Sequence, residues 1–311
     1  MIALTSISQF KSFTASVQYL VKASFSFAVT ATSLLFLLQG QVIAQEKPCK
    51  LAPTSEISSK DQAKCLLRPV RKFGNLDVTL LTLPTPFDKL LSLPTIDLDK
   101  EALRRYLKAK NIRESDIGGS LDNPVSRGNN NSSRADLARY FIIHDTSTPN
   151  FENDNFPANI NDSKWSGNNL QRWTRGNPLA HVFVSRVGES VTPVNFSTPW
   201  RATSFEVDVC GVPCKGLFLS IEMVQPRRSD PRGGRGNDAI APNPGFTDAQ
   251  LDRLALVYIA ASVRRGKWMI PAFHASLDAG IDGAHDDPQN FSLEQWSERL
   301  NNLLQQIRTL D

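Results

Sequence analysis

Two short apolar runs constrain what this chain can fold into more than any other feature. Tyr140–Thr146 (YFIIHDT) and Gly216–Val224 (GLFLSIEMV) are rich in aromatic and β-branched residues and too short for core helices. They read as strands, the first over Arg139–His144 with His144 at its carboxyl end. The second is apolar enough to be central in a sheet covered on both faces. Leu179–Ser190 alternates apolar and polar before Gly188, as a strand entering a hairpin does, and Trp200–Val209 reads as one more strand. Helices are marked by their starts. Thr247 with Gln250 and Ser292 with Gln295 have capping-box spacing. Leu251, Leu254, Val257, Tyr258 and Ala261 follow the first box at helical spacing, and Trp296, Leu300, Leu303 and Ile307 follow the second. The expectation is an α/β fold over 131–311, with a single central mixed β-sheet flanked by helices.

The region before that domain divides in two. Residues 1–44 contain no acidic group; Lys11 and Lys22 precede an apolar run, Ala23–Leu38, and Val42-Ile43-Ala44 resembles a small-residue cleavage site. The run falls short of the roughly 20 apolar residues a membrane span needs. A cleaved signal peptide over 1–44 is expected, with an uncleaved anchor as the alternative because the basic region is long. The protein is then exported, to a periplasmic, wall-associated or extracellular location, with no stable membrane span after processing. Residues 45–130 are expected to pack on the domain as an extension with one helix, over about Lys100–Lys110, capped by Asp97 or Asp99. In an oxidising compartment the four cysteines are expected to pair as Cys49–Cys65 and Cys210–Cys214. A metal clip is the rival reading for Cys210 and Cys214. Without Lys11 and Lys22 the chain has 33 basic residues against 31 acidic ones, too even a balance to argue for nucleic acid.

Metal-capable groups concentrate in Ile270–Phe291 (IPAFHASLDAGIDGAHDDPQNF). It holds His274 and His285, with Asp278, Asp282, Asp286 and Asp287, while Gly280, Gly283 and Pro288 break regular structure. Imidazole and carboxylate supplied by separate elements, with His144 as a third contributor, suit a catalytic zinc that keeps its fourth position open.

Taken in order, FIIHDT, AHVFVSRVGES, LSIEMVQ, PGFTDAQ and FHASLDAGIDGAHDDPQNF resemble the zinc-dependent N-acetylmuramoyl-L-alanine amidases of the type-2 group. That group includes bacterial muropeptide amidases, phage lysozyme-type amidases and the peptidoglycan recognition proteins. The resemblance covers roughly 139–305, about half of the chain. It implies the type-2 amidase fold, a Zn2+ cofactor and peptidoglycan or muropeptides as partner. The implied metal ligands are His144, His274 and Asp287, the last preceding Pro288. The implied general base is Glu222 in SIEM. His285 stands where these enzymes often carry a transition-state lysine; that is a departure, although a protonated imidazole could do similar work. Ala180-His181 matches the family's Ala-His pair.

Duller readings stand beside these. His144 and His274 could be hydrogen-bonded core histidines, Asp278 and Asp286 are rivals to Asp287, and Glu222 could be a salt-bridge partner. His181, Trp200 and Arg201 are candidates to face substrate. The arginines of the loop 225–243 (Arg227, Arg228, Arg232, Arg235) could grip peptide carboxylates or simply be solvated. The implied function is hydrolysis of the amide between N-acetylmuramic acid and L-Ala of the stem peptide. The main alternative is a non-catalytic peptidoglycan-binding module, and a zinc peptidase cutting another amide of the same polymer is a third reading.

Overall fold

The structure is a computed structural model that describes residues 48–51, 57–176, 179–233, 237–283 and 285–310. The expected signal segment and Arg235 lie outside these residues. Ala44–Asp311 forms one unit. No helix among the described residues is long and apolar enough to cross a membrane.

The sheet has five strands: β1 (Tyr140–Asp145), β2 (Val182–Val184), β3 (Ser190–Val191), β4 (Phe218–Met223) and β5 (Ile270–Phe273), in the order β3-β2-β4-β1-β5. β2, β4, β1 and β5 are parallel, and β3 closes the edge as the antiparallel half of a hairpin with β2. All six residues of β1 and all six of β4 are buried, as strands covered on both faces must be. The parallel arrangement decides where chemistry can occur. It brings the carboxyl ends of β1, β4 and β5 to one pole, the usual place for ligands in open α/β sheets.

Helices supply the covering layers. α1 (Ser59–Leu66), α2 (Thr85–Leu90) and α3 (Lys100–Ala109) come before the sheet, and a one-turn element, α4 (Gly128–Asn131), leads into it. After β4 come α5 (Asp248–Arg265), the single turn α6 (His274–Leu277) and α7 (Leu293–Thr309). At α5 both halves of the capping box form, and Gly266 ends the helix at φ 77°, a left-handed position that glycine adopts without cost. Phe141 of β1 packs edge-on to Tyr258 of α5, and Trp296 of α7 and Phe87 of α2 complete the aromatic centre of the core.

Two expectations need correction. The 45–130 extension carries more than the one helix read at Lys100–Lys110: α1 and α2 precede it, and Ala63, Leu66 and Phe87 are fully buried in the main core. They were missed because neither exceeds eight residues, below the window in which periodicity is readable. Trp200–Val209 is not a strand. Its second half enters a short, wide π-helical segment, Phe205–Cys210, because two carboxylates, one of them distant in sequence, take N–H groups a sheet would need. Asp278 accepts from the Ser204 and Phe205 amides (3.0 and 2.8 Å), and Glu206 accepts from the Ala202 amide (3.0 Å).

Both disulfides are formed as expected, Cys49–Cys65 and Cys210–Cys214. The first joins residues 16 apart and pins the start of the extension to α1. Replacing Cys49 and Cys65 with serine is expected to cost about 3 kcal/mol, the loop-closure value for a cross-link of this span. The check is a fall in the unfolding free energy extrapolated to zero urea.

Candidate metal centre and cleft

His144 is the next-to-last residue of β1 and His274 follows β5. Because those strands are parallel neighbours, with Ile143 opposite Phe273, the two rings meet at one pole of the sheet. Asp287 reaches the same point from the loop before α7. Its Oδ2 accepts the Asp145 amide (2.9 Å), and its own carbonyl accepts the Ala275 amide (2.9 Å), so the loop is tied to β1 and to the turn α6 that follows β5. His144, His274 and Asp287 are all buried, and their ligand atoms lie within 4.8 Å of one another. This group could hold a metal ion.

Hydrogen-bond bookkeeping supports that statement. His274 Nε2 donates to Asp278 Oδ2 at 3.0 Å, which fixes a tautomer with the Nδ1 lone pair facing inward. That Nδ1 lies 2.9 Å from His144 Nδ1 and 2.9 Å from Asp287 Oδ1. Three acceptors converge with at most one proton between them, the arrangement a cation resolves. Without one, the rings divide. Burial, and then the charge on His274, bring His144 down to about 3. Burial also opposes charge on His274, but Asp287 and Asp278 outweigh it and raise the ring to about 10. Burial pushes Asp287 up, and the His274 charge overcomes this and holds the carboxyl well below its usual range. His144 Nε2 is buried with no hydrogen-bond partner among the described residues.

Glu222 lies directly across from His144, on β4. Its Oε2 is buried and without a partner, and no ion pair with a described residue engages it. Burial first, then the charges of Asp287 and Asp145, raise its pKa well above the ordinary value.

These groups open into a cleft of about 450 Å3. Trp200 and Arg201 line it from the segment after β3, and Trp173 and Leu179 line it from the insertion after β1. His285 is exposed at its edge, with its ring stacked on His274 at 4.8 Å between centroids. Arg201 forms no ion pair with a described residue.

Two sequence-based expectations do not hold. His181 does not line the cleft. Its Nδ1 accepts the Ser220 amide (3.1 Å) and its Nε2 donates to the Thr198 carbonyl (3.2 Å), so neither nitrogen is left for a ligand. Burial lowers its pKa to about 4, as suits a neutral ring that joins β4 to the segment after β3. The arginines 227, 228 and 232 do not form a carboxylate grip either. Arg227 is fully buried and paired with Asp145 at 2.6 Å, Arg228 lies over the Phe156 ring, and Arg232 pairs with Asp230. Asp145 in turn braces the 287–289 turn by accepting the Gln289 amide. Trp173 and Asp238, both cleft-lining, went unread, because nothing in a polar insertion or a Gly-rich loop distinguishes them before the chain is folded.

Beside the centre sits Glu206, fully buried, with Oε1 unpartnered and Oε2 accepting from the Ala202 amide and the Thr203 hydroxyl. Burial raises its pKa from 4.5 to about 8. With the folded value above the unfolded one, its stabilisation is full below about pH 4.5 and lost as pH rises through about 8. Glu206→Gln keeps the acceptor and removes the charge. It is expected to melt roughly 5–10 °C higher than wild type at pH 9 and no differently at pH 4.5. Thermal melts at the two pH values check this.

No protein-family model matches the chain, and no curated protein matches it. A search of solved structures returns one titled "crystal structure of Se-Met AmpD derivative", with 19% identity, covering 60% of this chain and 98% of that one at a TM-score of 0.33. A TM-score so low carries no argument, and the reading of the site rests on its own geometry.

Proposed function

We propose that the protein is an exported, zinc-dependent N-acetylmuramoyl-L-alanine amidase. In this reading it hydrolyses the amide between N-acetylmuramic acid and L-Ala of peptidoglycan stem peptides. The observation that carries the reading is the juxtaposition in one cleft of three converging buried ligand atoms and an unpartnered carboxylate on the adjoining strand. The order of sequence motifs agrees with it, and the two disulfides suit an oxidising compartment.

His144, His274 and Asp287 would hold the metal; two imidazoles and one carboxylate make a zinc-type donor set that leaves a position for substrate. Zinc there would supply Lewis-acid polarisation of the scissile carbonyl and lower the pKa of water at the site. Asp278 orients His274 through Nε2. Glu222, which lines the cleft, takes the proton of the attacking water on its carboxylate and passes it to the departing amide nitrogen, which leaves as the amine. That role needs the carboxylate form. A cation held by Asp287 would lessen the upward push from that carboxylate's charge and so favour the ionised form of Glu222, while the larger effect of burial would remain. His285 stands at the edge, where a ring N–H could donate to the oxygen on which charge develops. Trp200 and Trp173 offer flat apolar faces for a sugar ring, and Arg201 offers a fork for a peptide carboxylate.

The test is to digest purified peptidoglycan and identify the new ends by mass spectrometry. Free stem peptides beginning with L-Ala support the amidase. Cleavage inside the peptide would replace it with a peptidase. Retained wall binding with no cleavage, and no metal in the protein, would make the chain a recognition module.

A further inference from the structure

Among the fully buried side chains of the described residues, Arg227 is exceeded in volume only by Trp296. Enclosing a guanidinium is costly unless carboxylates meet its charge. They do so at the pole of the sheet that carries the metal centre. Nη2 donates to Asp145 Oδ2 at 2.6 Å, while Nη1 donates to the Asp238 carbonyl at 3.3 Å and lies 3.6 Å from Asp286 Oδ1. The backbone beneath the side chain is fixed as well. The Arg227 amide donates to the Pro149 carbonyl (2.9 Å), and the Arg227 carbonyl accepts the Phe151 amide (2.8 Å).

The two carboxylates it pairs with are the chain neighbours of two candidate ligands, Asp145 of His144 and Asp286 of Asp287. Asp145 is also where the late turn is fastened. Its amide donates to Asp287 Oδ2 (2.9 Å), its Oδ2 accepts the Gln289 amide (3.3 Å), and its Oδ1 accepts the Ser147 amide (2.9 Å). Asp286 Oδ2 accepts from the Gln289 side chain at 2.5 Å. At both Asp145 and Asp286 burial disfavours the ionised carboxylate, and the Arg227 charge favours it. Without the guanidinium, Asp145, Asp286 and Asp287 would repel one another in surroundings that screen charge poorly. A metal cation held by Asp287 would still leave Asp145 and Asp286 to be joined.

We propose that Arg227 is a positioning residue for the metal centre, joining Asp145 to Asp286 so that the 286–289 turn presents Asp287 to His144 and His274. The inference rests on the proposed metal site for its consequence, though not on which amide of the polymer is cut. It has two physical parts. The guanidinium fork offers separate nitrogens to two carboxylates, where an ammonium would offer a single point charge. The positive charge also offsets the repulsion among three acidic side chains. Arg227 does not line the cleft, so it acts through Asp145 and Asp286 and not on substrate.

The test compares wild type, Arg227→Lys and Arg227→Met as metal-stripped proteins. Zinc affinity is read by competition with a chromophoric chelator. Amide hydrogen exchange is followed by NMR, without metal, at Asp145 and Ala275, whose N–H groups Asp287 accepts. Arg227→Met is expected to bind zinc roughly 10–100-fold more weakly, the range that follows loss of an outer partner. Arg227→Lys is expected to fall between it and wild type. Protection should drop at the Asp145 and Ala275 amides and hold within β1 and β4. Arg227→Lys, which keeps a charge in the buried site, serves both readouts should Arg227→Met fail to fold. Wild-type zinc affinity and wild-type protection in the variants would overturn the proposal. So would a loss of protection spread evenly through β1 and β4, which would make Arg227 a support of the core. A wild type that binds no zinc would instead refute the metal reading of the cleft, and the exchange pattern alone would then decide whether Arg227 positions Asp287.

Discussion

His274→Ala is expected to remove both metal binding and hydrolysis. His274 is the centre of the constellation: Nδ1 faces His144 and Asp287, and Nε2 is held by Asp278. Losing it leaves one imidazole and one carboxylate, too few donors for a catalytic zinc site, which takes three protein ligands. The loss in metal affinity should exceed the roughly 10–100-fold that follows removal of an outer hydrogen-bond partner. Asp278→Asn supplies that lesser case in the same protein. Asparagine can still accept from Nε2 and the Ser204 amide through its one oxygen, but its NH2 replaces the oxygen that accepts the Phe205 amide, and it lacks the charge that raises the basicity of His274. Zinc content by atomic spectroscopy, with turnover on the same samples, should rank wild type above Asp278→Asn and Asp278→Asn above His274→Ala. Equal zinc in all three would remove His274 from the site.

Glu222→Gln is expected to leave metal content intact and lower turnover by about 10²–10⁴-fold, the usual weight of a positioned acid–base group. The dissociation is possible because Glu222 lies beside the ligand set without belonging to it, and no ion pair depends on it. Removing a buried carboxyl whose pKa is pushed far up also relieves an energetic burden, so the variant should be at least as stable as wild type at neutral pH. A variant that is inactive, zinc-replete and equally stable is hard to explain by anything but lost proton transfer. If turnover is retained, the base is another group.

Much of this arrangement was legible before folding, for identifiable reasons. β1 and β4 announced themselves because a strand buried on both faces has little choice but β-branched and aromatic residues. α5 and α7 were marked by side chains that satisfy their own first turn, as Thr247 and Ser292 do. Both are local signals. The misreadings came where distant residues decide. Trp200–Val209 alternates like a strand, yet Asp278, more than seventy residues away, captures its amides. Ala180-His181 before an apolar run gave the same signal as a functional histidine, and only the packing of the Thr198 carbonyl against its ring shows otherwise. Within the late loop, Asp278, Asp286 and Asp287 are chemically alike. Asp287 points at both histidines and Asp278 grips the back of one. Asp286 lies against Arg227, with burial raising its pKa to about 7.

The most direct measurement is a zinc titration of the metal-stripped protein, with activity on peptidoglycan read at each step. The expected result is activity that rises in proportion to bound zinc, stops rising at one ion per chain, and never exceeds background in His274→Ala. Activity that persists without metal, or full occupancy by zinc with no cleavage of any amide in the polymer, would contradict the assignment of this cleft as a zinc amidase centre.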